Sequence, residues 1–186
     1  ALALFLATPL HAEAATPEAL YEAIRRYDVP AVESLLKAQP RLAGAKDDKG
    51  RSVVIRAVFL MRKGFIPPAK NEVLQALLKT HPQLDFWELC AVGDAAGVRA
   101  ALARDASLAN AWHPIGWSPL HFAAFSGDVA TTALLLDRGA QIGARARTQF
   151  LNVPLQAALL TGQEATTRLL LERGADPLVR QAGGFA

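Results

Sequence analysis

The sequence predicts an all-α solenoid of about five helix-turn-helix units, truncated at the C-terminus, and three observations carry that prediction. Gly116-Trp-Ser-Pro-Leu-His-Phe-Ala-Ala-Phe-Ser-Gly-Asp128, closing on Leu134-Leu-Leu-Asp-Arg-Gly-Ala140, returns as Val153-Pro-Leu-Gln-Ala-Ala-Leu-Leu-Thr-Gly162, closing on Leu169-Leu-Leu-Glu-Arg-Gly-Ala175. Pro119 recurs as Pro154, Gly127 as Gly162 and Gly139 as Gly174, each at a step of 35 residues. Each run between a starting proline and a closing glycine is only a few turns long, which suits short helices. A period of that length marks stacked supersecondary units, none of which buries its apolar face alone.

The elements follow in chain order. Residues 1–14 begin with Ala1-Leu-Ala-Leu-Phe-Leu-Ala7, apolar and without helical periodicity, and end on Ala12-Glu-Ala14. That is the pattern of a secretory signal peptide whose basic start is missing, and it favours export to a periplasm or secretion over the cytoplasm. The competing reading is a helix that covers the first unit.

One repeat domain is expected over 15–186. Its first unit, 17–44, pairs Glu18-Ala-Leu-Tyr-Glu-Ala-Ile24 with Val32-Glu-Ser-Leu-Leu36. The second, 50–82, aligns Gly50-Arg-Ser-Val-Val-Ile-Arg-Ala-Val58 with the Gly116 segment, but carries about eight extra residues. The insert spans 59–68, contains Phe65-Ile-Pro-Pro68, and predicts a protruding helix-turn or loop. The third unit, 85–109, has Asp85 to Asp94 followed by Val98-Arg-Ala-Ala-Leu102.

In the fourth unit, 116–141, Ser118-Pro119 starts a helix that Gly127 ends, and Asp128 caps the next. The fifth, 150–176, repeats that layout. Prolines in Gln39-Pro40 and His81-Pro82 are expected to stop helices sterically. Gly183-Gly-Phe185-Ala186 reads as the start of a further repeat.

These segments resemble the ankyrin repeat. Residues 116–121 match its Gly-x-Thr-Pro-Leu-His start with Ser for Thr, and 170–176 match its Leu-Leu-x-x-Gly-Ala-Asp finish. The resemblance implies a protein-binding module that holds a partner protein on a concave face of turn tips and first helices. It implies no catalysis and no cofactor.

Mapped residue by residue, the tips are Lys46 to Arg51, Ala111 to Trp117 and Arg145 to Asn152, and the variable helix positions include Phe125, Ser126, Leu160 and Thr161. The partner contacts so implied are Trp112, Trp117, Phe125, Ser126, Arg145, Arg147, Phe150 and Leu160, a mixture of aromatic anchors and arginines suited to binding hot spots. Trp117 and Phe150 have a second reading, as covers for neighbouring repeats, and Trp112 and Phe125 as core. A second function class stays open: a regulatory or targeting segment of an enzyme whose catalytic domain lies beyond Ala186.

Composition agrees with such an array. Apolar residues make up 52% and charged residues 20%, with no run of about 20 apolar residues to cross a bilayer. Net charge is +3, but residues 41–70 hold eight basic residues against Asp47 and Asp48. That stretch is either an anion-attracting patch or a solvated surface. Nucleic acid is not expected as a partner, since no recognised motif interleaves bases with aromatics, and the array is expected to be monomeric.

Catalytic groups are sparse. The histidines His11, His81, His113 and His121 have no metal-ligand spacing, so no metal site is expected. His121 is read as a structural residue that bonds backbone in its turn. Cys90, the single cysteine, is read as a buried thiol.

Overall fold

Side-chain oxygens start most of the helices in the computed structural model, which describes residues 15–47, 49–61 and 64–179. Thr16 caps α1 (Pro17–Arg26), Asp28 caps α2 (Val29–Ala38) and Ser52 caps α3 (Val53–Val58), each accepting an N–H three residues on. Asn71 does the same for α4 (Glu72–Leu78), Asp85 for α5 (Phe86–Val92) and Asp94 for α6 (Ala95–Arg104). Next, α7 (Pro119–Ser126) opens on a proline, and Asp128 caps α8 (Val129–Asp137). Another proline opens α9 (Pro154–Leu160), and α10 (Glu164–Glu172) completes the fifth pair. The caps satisfy first-turn N–H groups that have no partner inside so short a helix, and a proline removes one of them.

The helices form two rows. First helices α1, α3, α5, α7 and α9 pack each on the next, while α2 lies on α4 and α6, α8 and α10 stack in turn. Between the rows sit fully buried side chains, among them Leu20, Ile24, Ile55, Leu74, Leu77, Phe122, Leu135 and Leu170. Each unit therefore completes its core with its neighbour's side chains. Among the described residues there is no strand, only isolated bridges of Lys46 with Ser52 and Met61 with Phe65. The segment 1–14 and the start of a repeat at 183–186 lie outside the described residues.

Bends recur with different residues. Gly127 closes α7 in the left-handed conformation (φ 78°), and in the first unit Tyr27 (φ 58°) makes the corresponding turn between α1 and α2. The linkers differ from expectation in one place. At Gln39-Pro40 the helix does stop, and Pro40–Gly44 continues as a 3₁₀ turn. At the other linker α4 ends at Leu78, ahead of the proline, and His81 itself is left-handed (φ 51°), so Pro82 follows a bend already made.

The insert corrects the sequence reading more strongly. Its described residues do not simply protrude. Phe59 and Phe65 fold back over the row of first helices, with Phe59 4.8 Å and Phe65 5.2 Å from the Phe125 ring centroid. Unit three makes this possible, because α5 ends on Ala91 and Val92, too small to block two rings reaching from the second unit to the fourth.

Candidate partner-binding groove

The turn tips are built on backbone hydrogen bonds that leave one special position. In the fourth unit the tip is closed by His113 N–H to the Trp117 carbonyl (2.9 Å), and in the fifth by Ala146 N–H to the Asn152 carbonyl (2.8 Å). The two tips are joined by Arg147 N–H to the Gly116 carbonyl at 2.7 Å. Gly116 has φ 88°, and a Cβ there would lie 2.5 Å from the Arg147 carbonyl oxygen, so only glycine fits.

His121 locks this arrangement from below. It is fully buried; its Nδ1 lies 2.7 Å from Ser118 Oγ and 3.3 Å from the Ser118 N–H, and its Nε2 is 3.0 Å from the Asn152 carbonyl oxygen. A carbonyl only accepts, so Nε2 carries the hydrogen, and Nδ1 accepts the Ser118 N–H, so the ring is neutral. Burial lowers its pKa to about 4, against the modest opposing pull of the Asn152 carbonyl. The structural role read from the sequence is what the structure shows. Gln156, one step of 35 residues on, uses the same device: Oε1 accepts the Val153 N–H and Nε2 donates to the Val179 carbonyl.

Other titratable groups are structural too. Asp47 loses some acidity to burial, yet hydrogen bonds from the Arg51 and Lys49 backbone and the Arg51 side chain hold its pKa below the ordinary carboxylate value. Lys46 reaches Asp85 at 2.8 Å, tying the second unit's tip to the cap of α5. Burial pushes Glu88 up, as it does the Cys90 thiol, which is fully buried and inert in that state.

Above this frame lies an apolar groove of about 720 Å³. Phe59 and Met61 of the insert form one wall; Ile115, Trp117 and Phe125 form the base; Thr148 to Phe150, Asn152, Gln156 and Leu160 form the other side. Among the described residues no charged side chain lines it. Trp117 sits 4.9 Å from Phe59 and 5.5 Å from Phe125, edge to face, so the base is a packed aromatic cluster. The Thr148 hydroxyl, shielded from solvent, has no hydrogen-bond partner. By contrast, half of the described residues that line the hollow between α1 and α2 are alanines, and none of them is aromatic.

The structure therefore brings Trp117, Phe125, Phe150 and Leu160 together and sorts them by exposure. Phe150 is 57% and Leu160 64% exposed. Phe125 is only 3% exposed, because Phe59 and Phe65 cover it; as a freely accessible anchor it is corrected to a core residue that shows one edge in the groove. Ser126 is likewise corrected. It is buried, and its Oγ donates to the Ala91 carbonyl at the end of α5, satisfying an acceptor that the helix leaves open. Thr161 does the same for the Phe125 carbonyl at 2.8 Å.

Trp112 and Arg147 meet each other outside the groove, with the guanidinium 4.2 Å from the indole centroid, and Arg145 is exposed on the same tip. Phe59, Met61 and Phe65 were missed by sequence reasoning. Their signal was present, since two phenylalanines and a methionine in a loop thought to face water call for something to cover them.

Among the described residues no helix is long and apolar enough to cross a membrane. The family model for ankyrin repeats, in three copies, matches residues 70–181, more than half of the 186 residues. No curated protein matches the chain. The first unit lies outside the match, yet it has the same cap, bend and paired helices as the matched units.

Proposed function

Since the chain belongs to the ankyrin repeat family, whose repeats are generally protein–protein interaction modules, we propose that it is a non-catalytic module that seats a segment of a partner protein in the groove between the insert and the fifth unit. The observation that carries this is the exposure of Phe150 and Leu160 on a largely apolar groove with a packed aromatic base. Large apolar side chains left in water beside a preformed hollow gain free energy when a partner covers them. Phe150 and Leu160 are the anchors, and Trp117 and Phe125 the rigid floor. Export to a periplasm is a further proposal, supported by the apolar start of the chain.

Site-specific photocrosslinking tests the groove. A crosslinker at Leu160 should capture a discrete partner in the parent cell, and one at Arg99, exposed on α6, should not. Phe150→Ala and Leu160→Ala should each weaken that capture by about 2 kcal/mol, as for apolar hot spots. Equal capture from both positions would remove the groove from the account.

A further inference from the structure

Apolar and cationic surfaces meet at one ring. Phe59 walls the groove and also a smaller pocket of about 190 Å³ that Arg25, Arg51 and Arg56 line. Two of these cations are already paired, Arg25 with Glu22 at 2.6 Å and Arg51 with Asp47 at 2.7 Å.

Arg56 has no carboxylate partner among the described residues. Its guanidinium lies over the Tyr21 ring, 5.2 Å from the centroid, and its Nε is shielded from solvent without an acceptor. Arg56 is only partly buried and lines the pocket, so a carboxylate entering there forms a charge-assisted bond with its guanidinium without displacing a resident anion. The surrounding sequence leans the same way: residues 41–70 carry eight basic side chains against two acidic ones. Among the described residues no acidic side chain lines either hollow.

We propose that the occupant of the groove is an acidic, apolar segment of the partner protein. Its large apolar side chains seat among Phe59, Trp117, Phe150 and Leu160, and a nearby Asp or Glu side chain bonds Arg56. This rests on the groove reading above and adds the partner's charge. Complementary charge around an apolar anchor also raises the association rate and rejects basic competitors.

Fluorescence anisotropy with the whole chain tests it, using three short labelled peptides that share a Phe-x-x-Leu core flanked by Glu, by Gln or by Lys. The Glu peptide should bind at least about tenfold tighter than the Gln peptide, and the Lys peptide more weakly than both. Arg56→Gln should abolish the tenfold preference and leave the Gln peptide unchanged. Arg56→Lys, which keeps the cation, should retain the preference and controls for any loss of packing on Tyr21.

Leu160→Ser should weaken every peptide alike. Equal binding of the Glu and Gln peptides, or an Arg56→Gln variant that keeps the preference, overturns the charge inference and leaves the groove standing. Binding insensitive to Leu160→Ser, or no binding of the Glu peptide at all, overturns both. A single-stranded oligonucleotide that binds tighter than the Glu peptide overturns the inference in favour of a polyanion.

Discussion

Phe125 in α7 and Leu160 in α9 stand one 35-residue step apart, at equivalent places in successive copies of one motif. One is 3% exposed and the other 64%. Each stands six residues after the proline that opens its helix, on the same side of the stack, but α7 packs between α5 and α9, whereas α9 has only α7 beside it among the described first helices. The insert of the second unit adds the larger cover: it passes α5 and puts Phe59 and Phe65 on Phe125, whereas no described residue covers Leu160 in that way. A repeat position thus becomes core or contact surface according to what lies over it. In this chain the same device that buries one position builds the wall of a groove for the other.

The largest expected effect tests that contrast directly. Phe125→Ala should lower unfolding free energy by about 3–5 kcal/mol through the cavity left under two rings. Leu160→Ala should stay within about 0.5 kcal/mol, as surface changes do. Urea titration of the two variants decides it, and comparable losses would mean that Leu160 is covered in solution.

The next contrast is between His121 and Gln156, which do the same work with and without a titratable ring. The His121 pKa falls from 6.5 to about 4 on folding, so its neutral form is favoured by the fold. That contribution is complete above pH 6.5 and is lost as pH falls towards 4, amounting to about 3 kcal/mol at about 1.4 kcal/mol for each unit. Burial lowers His113 as well, which adds in the same direction, while Glu88, raised by burial, acts in the opposite one. The readout is therefore the difference between parent and His121→Gln. The variant copies the neighbouring repeat, should keep both hydrogen bonds, and should lose less stability than the parent between pH 6.5 and 4. Parallel curves would show that the ring is not buried neutral.

The smallest effect concerns the tip. Gly116 and Leu151 occupy equivalent positions, three residues before Pro119 and Pro154, and both are left-handed, with φ 88° and 48°. Leu151→Gly should raise stability by up to about 1 kcal/mol by relieving a conformation that Leu rarely adopts. Gly116→Ala should cost about 1–2 kcal/mol or more, since its Cβ would press on the Arg147 carbonyl. Thermal melts of both variants check the pair; equal signs would break the equivalence of the two tips.

Local chemistry was legible in the sequence because its causes are local. Ser118-Pro119, Asp94, Asp128 and Gly127 act within a turn of themselves, so helix starts, the α7 stop and the 35-residue step could be read from residue types alone. The inward placement of Cys90 and the backbone role of His121 followed from the same register, and both are buried as that register requires.

The groove was only half legible. Trp117, Phe125, Phe150 and Leu160 were recoverable as members of one face, but which of them stays accessible depends on contacts across more than 50 residues of chain, from Phe65 to Phe125. Ser126 shows the same limit, because a small polar residue after paired alanines reads as surface until a carbonyl from the unit before is found against it.

By itself, then, the sequence determined the helices, their caps, their spacing and the side of the stack on which the first helices and turn tips lie, all of which depend on neighbours a few residues away. Tertiary structure alone decided that the insert folds inward, that Phe125 is floor and Leu160 is rim, and that Arg56 lies beside the groove with no carboxylate partner among the described residues. The physical reason is that burial belongs to a pair of surfaces, and residue types report only one of them.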